Sequence, residues 1–125
     1  MIKIKEIAFT AYAVTDLTRA RAFYEGALGL VAGQVWESED KKTGFIEYYM
    51  GDHTLAIGAG SEKFRPGNTG ATVALEVEDF DEAVKHLKEH NVKFLMETED
   101  FPSCGMTLVE DPDGNQIVIH RRKNS

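Results

Sequence analysis

The stretch Phe9–Leu30, FTAYAVTDLTRARAFYEGALGL, decides how this chain folds. It opens inside an apolar, alternating run from Ile7 to Val14, which reads as a strand. Past Asp16, the residues Leu17, Ala20, Phe23, Tyr24, Ala27 and Leu28 recur at i, i+3, i+4 spacing, one face of a helix over 17–28. Asp16 suits the N-cap, because its carboxylate can accept from backbone N–H groups that the first turn leaves unpaired. Gly29 suits the left-handed exit.

The same sentence is spoken twice. Val14-Thr15-Asp16-Leu17 is echoed 63 residues later by Val77-Glu78-Asp79-Phe80, which also follows an apolar run, Ala71 to Val77. A second helix is expected over 80–90, with Asp79 as N-cap, Glu82 in the capping-box position, Phe80, Ala83, Val84 and Leu87 as the buried stripe, and Asn91 as exit. Leu55-Ala56-Ile57 and Ile117-Val118-Ile119 stand 62 residues apart, each after a tight turn. A constant offset across two landmarks indicates an internal repeat. The remaining strands are placed at 31–38, 44–50, 53–59, 92–97, 104–110 and 115–121. Gly51-Asp52 suits a two-residue hairpin, and Asp111-Pro112-Asp113-Gly114 a type I turn with a left-handed glycine. The chain is therefore expected to be α+β: one domain of two tandem βαβββ modules, about 5–59 and 71–121. The polar linker 60–70 joins them, and a cavity is expected between their concave faces.

These segments resemble the vicinal oxygen chelate, or glyoxalase/bleomycin resistance/dioxygenase, superfamily: the strand with V-x-D-L, F-Y and L-G-L at the start, the second opening at Thr72–Asn91, and the closing hairpin DPDGNQI at Asp111–Ile117. The resemblance implies the glyoxalase-like fold. In the family's metal enzymes a histidine stands seven residues before each capping aspartate, and another ligand stands in the last strand of each module. Carried over, these positions are Phe9, Ala56, Thr72 and Val118. Phenylalanine, alanine and valine offer no lone pair, and a threonine hydroxyl is a weak neutral ligand. No metal and no cofactor are expected.

Side chains alternate along a strand, so residues an even number away from the vacated positions share their face. That selects Phe9, Ala11 and Ala13, then Thr72, Ala74 and Glu76, then Val118 and His120. The Gly51-Asp52 hairpin sets Glu47 opposite Ala56 and Tyr49 opposite Thr54, bringing Phe45, Glu47 and Tyr49 to that face. If Leu108 pairs with Val118, then Cys104 and Met106 join them. The candidate acid–base groups are Glu47, Glu76 and His120, and a carboxylate beside an imidazole would orient it and stabilise its cation. The candidate ligand-binding residues are Phe9, Tyr49, Ala56, Thr72, Cys104, Met106 and Val118. Trp36 and Tyr12 read as packing. His86 and His90, at i, i+4 on the second helix, read as a solvated face, and His53 as a turn residue.

Composition narrows the function. The 125 residues are 42% hydrophobic and 28% charged, ordinary for a globular chain. A net charge of −7 disfavours a nucleic-acid partner. No apolar run approaches membrane length, the N-terminus MIKIKEIAF has no leader pattern, and one cysteine permits no internal disulfide, so a cytoplasmic location is expected. Two functional readings share these residues. One is a metal-independent protein that binds a small organic molecule, as the bleomycin-binding branch of the resembled family does. The other is a lyase or isomerase of the glyoxalase I type working through Glu47, Glu76 and His120. Members of the resembled family pair their modules within one chain or between two, and a homodimer is expected here.

Overall fold

A computed structural model describes residue 3, residues 5–68 and residues 70–123. The element order is β1 (Thr10–Ala13), α1 (Leu17–Arg21) continued by a π-helical turn (Ala22–Ala27), β2 (Ala32–Glu37), β3 (Gly44–Met50), β4 (His53–Ala59), β5 (Val73–Glu76), α2 (Phe80–Glu89), β6 (Lys93–Phe94), β7 (Glu99–Asp100), β8 (Cys104–Glu110) and β9 (Gln116–Arg122). The strands form two mixed sheets. Sheet one has the order β1-β4-β3-β2; sheet two has β5-β9-β8-β6, with β7 also on β8. In each, the first and last strands of the module pair in parallel: Ala11 with Ala56, and Ala74 with Val118. This α+β pattern is that of two βαβββ modules.

Local chemistry sets the boundaries. Asp16 and Asp79 accept hydrogen bonds from the backbone N–H of Arg19 and Glu82, at 3.0 and 3.1 Å. Gly29 and Asn91 leave the helices at φ 75° and 58°. The hairpins keep the expected register, with Met50 opposite His53, Glu47 opposite Ala56 and Leu108 opposite Val118.

Four elements depart from the sequence reading. The first helix is α only through Arg21 and then widens, so that the Leu28 N–H donates to the Phe23 carbonyl five residues back. The wider turn lets adjacent Phe23 and Tyr24 both be buried, at 7% and 0% exposure. The strand expected over 92–97 is ordered as a ladder only at Lys93–Phe94. The Leu95 N–H still donates to the Leu108 carbonyl at 2.8 Å and the Thr107 hydroxyl to the Met96 carbonyl at 3.2 Å, and ladder pairing with β8 resumes at Glu99–Asp100 with the register shifted. The first and fifth strands are also shorter than the apolar runs that predicted them.

One core runs through both modules. Leu17, Phe23 and Ile57 share it with Leu87, Val109, Ile117 and Ile119. A buried polar knot joins the modules beneath it. The Asp111 carboxylate accepts from the Tyr24 hydroxyl at 2.8 Å, from the Asn115 amide at 2.8 Å, and from the backbone N–H groups of Asp113 and Asn115. Asn115 also donates to the Ala13 carbonyl at 2.7 Å. The Tyr12 hydroxyl donates to the Gln116 carbonyl and accepts from the Val73 N–H. Burial first, and then the Asp111 charge, push the Tyr24 hydroxyl far above its ordinary pKa. It therefore stays a hydrogen-bond donor at any ordinary pH.

Candidate functional site

The helices cover one face of each sheet, and alternation leaves the other face open. On β4, Leu55 and Ile57 sit under the helices while Ala56 and Gly58 form the floor of the open side. On β9, Ile117 and Ile119 are buried, and Val118 and His120 are half-buried on the open side.

The sequence-selected residues lie on these open faces, in two groups. Sheet one carries Phe9, Glu47, Tyr49 and Ala56. The Phe9 and Phe45 rings meet edge to face with centroids 5.5 Å apart. The Tyr49 hydroxyl donates to Glu47 Oε1 at 2.7 Å, which raises the phenol's pKa. Ala56 is fully buried and lies opposite Glu47. Sheet two carries Thr72, Glu76, Val118, His120, Cys104 and Met106. Met106 pairs with His120 and Cys104 with Arg122.

Within one chain the two groups do not line a single cavity. The sheets join side by side at β1 and β5 instead of facing each other, so Phe9, Tyr49, Thr72 and Glu76 remain exposed. The concavity at this junction is a groove of about 570 Å³, lined also by linker residues Phe64 to Gly67; of the residues selected from the sequence it contains Ala11, Ala13 and Thr72.

Glu76 and His120, in adjacent strands, make direct contact. His120 Nδ1 lies 2.7 Å from Glu76 Oε1, and the Arg122 backbone N–H donates to Glu76 Oε2 at 2.6 Å. That backbone donor first, and the imidazole second, hold the Glu76 carboxyl below its usual range. Glu47 sits in the other group and does not join this pair. The arrangement can grip a polar group or relay a proton.

The four positions equivalent to family metal ligands present Phe9, Ala56, Thr72 and Val118, one neutral hydroxyl in total. This donor set does not fit a divalent metal. Among the described residues no three histidine, cysteine, aspartate or glutamate side chains converge elsewhere.

Two contributors were not selected from the sequence. Trp36, read there as packing, is 58% exposed, and as the cross-strand partner of Phe45 it stands on the open face of sheet one. Its register explains this, because opposite Phe45 it points away from the buried side that holds Ile46 and Tyr48. Phe64, in the linker, is 39% exposed and comes within contact distance of the space over Gly58. An aromatic residue in a polar linker was the available signal. His86 and His90 are exposed and stack on each other, centroids 4.2 Å apart, and His53 is exposed at its turn.

A family model, the Glyoxalase/Bleomycin resistance protein/Dioxygenase superfamily, matches residues 6–119. The chain belongs to that superfamily. It is 27% identical to the uncharacterized protein YaeR of Escherichia coli (strain K12), with 98% of this chain and 100% of that protein covered. A glyoxalase family protein from Enterococcus faecalis superposes with TM-score 0.70 at 26% identity, over 93% of this chain and 97% of that one. TnmS3, an antibiotic-binding protein from Streptomyces sp. CB03234, superposes with TM-score 0.79 at 19% identity, covering 98% and 100%. That last likeness is one of fold.

Proposed function

We propose that this superfamily member binds a small organic molecule without a metal, on the open faces of its two sheets. The observation that carries the reading is the combination on those faces: aromatic and apolar side chains left in water, with Phe9, Ala56, Thr72 and Val118 where metal ligands would stand. A largely apolar surface with a few convergent polar groups is what small-molecule sites are made of. An antibiotic-binding protein of the same fold supports the reading by analogy.

The two modules act as one domain on this reading, since one core passes through both. The working unit is a homodimer: a second copy laid over the open faces would turn them into the walls of a cavity. No helix among the described residues is long and apolar enough to cross a membrane. The net charge of −7 supports a small molecule rather than nucleic acid as partner.

A second reading is favoured by one observation, the 2.7 Å contact between Glu76 and His120. In it the same site is a metal-free lyase or isomerase, with that pair moving a proton and Glu47 assisting from the other face.

Native mass spectrometry tests the first reading. The purified protein, with EDTA present, is incubated with a library of small aromatic and heteroaromatic compounds. Non-covalent adducts that persist in EDTA and are lost in Val118→Arg are expected. Adducts that require added zinc, nickel or iron would contradict it.

A further inference from the structure

We propose that His86 and His90 form a surface site for a late transition-metal cation at the C-terminal end of α2. The site lies on the helix-covered side of the molecule. It is separate from the four positions equivalent to the family's metal ligands, and it does not rest on the small-molecule reading.

Residues four apart on a helix stand one above the other. His86 and His90 do so, both exposed, with ring centroids 4.2 Å apart and planes inclined by 38°. His90 is pinned to the turn below it. Its backbone N–H donates to the His86 carbonyl at 3.2 Å, and its ring Nδ1 reaches the same oxygen at 2.9 Å. A carbonyl oxygen only accepts, so Nδ1 carries the proton and the neutral ring keeps its lone pair on Nε2. A ring N–H held by a carbonyl is the outer contact that orients metal-binding histidines. The His86 ring makes no hydrogen bond among the described residues, which leaves either of its nitrogens available. Metal–nitrogen bonds of about 2.0–2.1 Å need donors about 3 Å apart. Rings whose centres are already 4.2 Å apart reach that spacing by small side-chain rotations.

The surroundings favour a cation. The unpaired carbonyls of the last turn make this the negative end of α2. Glu82 stands one turn before His86, and Glu89 is next to His90. The nearby cations are engaged elsewhere. Arg19 and Lys93, which share a concavity with His90, pair with Asp113 at 2.8 Å and Glu110 at 3.3 Å. Lys88 lies over the Phe94 ring, 5.7 Å from its centre. Lys85 adjoins His86 in sequence and so faces another way. Two imidazoles select copper(II) first, then nickel(II) and zinc(II), whereas magnesium and calcium take oxygen ligands. Among the described residues no third histidine, cysteine or carboxylate converges here. Water therefore completes the coordination shell, and the bound metal stays open to a further ligand.

The test adds each metal alone to purified protein from which EDTA has been removed. Calorimetry is expected to give about one copper(II) per chain, at least about tenfold tighter than zinc(II), and no binding of magnesium. His86→Gln and His90→Gln, both exposed and checked for intact folding by circular dichroism, should each weaken copper(II) binding by about tenfold or more. His53→Gln, which removes an exposed histidine at a distant turn, should leave it unchanged. Paramagnetic broadening by copper(II) should begin in residues 82–91, and electron paramagnetic resonance should show two coordinated imidazoles. Both variants should still form organic adducts in EDTA, so failure of this site and failure of the small-molecule reading are told apart. Copper(II) binding that both variants keep, broadening centred on His120, or no copper(II) bound at micromolar concentration would overturn the proposal.

Discussion

The two faces of each sheet differ although they share every strand. Under the helices, Tyr24, Tyr48, Ile46, Ile57, Ile117 and Ile119 are sealed, and each buried polar side chain among the described residues has a partner. On the open side, one residue away in sequence, stand exposed rings in sheet one and a carboxylate–imidazole pair in sheet two. Residues that hold the fold and residues of the proposed site therefore alternate along the chain, and neighbouring residues should respond to different experiments. The open faces also differ from each other. The repeat holds the register and the helical caps in common, but one face is aromatic and the other polar, as expected where only the covered side is constrained by packing.

The sharpest way to break this comparison is on the covered side. Asp111→Ala removes the acceptor for Tyr24, Asn115 and two backbone N–H groups in a buried place. A loss of about 3 kcal/mol in urea unfolding is expected, because breaking a buried hydrogen-bonded charge strands its partners. A loss below about 1 kcal/mol would mean that the knot is not what joins the modules.

Next in size is Ile57→Ala, which empties a fully buried position and should cost about 2–4 kcal/mol. Its open-side counterpart, Tyr49→Ala, should stay within about 0.5 kcal/mol of the parent in the same assay, as exposed substitutions usually do. Equal costs for the two would erase the difference between the faces.

The smallest expected effect is electrostatic. The Glu76 carboxyl is held below its ordinary 4.5 by the Arg122 N–H and by His120. A group with a lowered folded pKa stabilises the fold above its unfolded pKa, and the benefit fades as pH falls through the folded value. Carboxyl NMR titration should place the Glu76 midpoint below 4.5. The midpoint should move upward in His120→Ala but stay below that value, since the Arg122 donor remains. No movement would mean that His120 and Glu76 are neighbours without coupling.

Much of this was legible in the sequence. Asp16, Asp79, Gly29 and Asn91 marked helix ends because capping and left-handed exits depend on a few residue types. The hairpin turns fixed registers, and the registers fixed which residues face out. Other features required tertiary structure. The π-helical turn follows from burying Phe23 and Tyr24 together, which no periodicity announces. The break in the strand over 92–97 comes from a register shift against β8 between Phe94 and Glu99. Trp36 was misread because a tryptophan in a short strand looks like core until the register sets it opposite Phe45 on the uncovered face. That the sheets lie side by side within one chain follows from the Tyr12, Asp111 and Asn115 contacts, each spanning more than half the sequence.

The central claim is that the open faces, and not the covered side, receive the ligand. The covered side offers a rival, a concavity of about 520 Å³ lined by residues such as Arg19, Phe23, His90 and Lys93. Amide NMR shift mapping during titration with an aromatic library compound that binds in EDTA separates the two. The account expects shifts concentrated in β3 and β4 around Glu47, Tyr49 and Ala56, with Arg19, His90 and Lys93 unmoved. Shifts centred on Arg19, His90 and Lys93, with β3 and β4 silent, would contradict it.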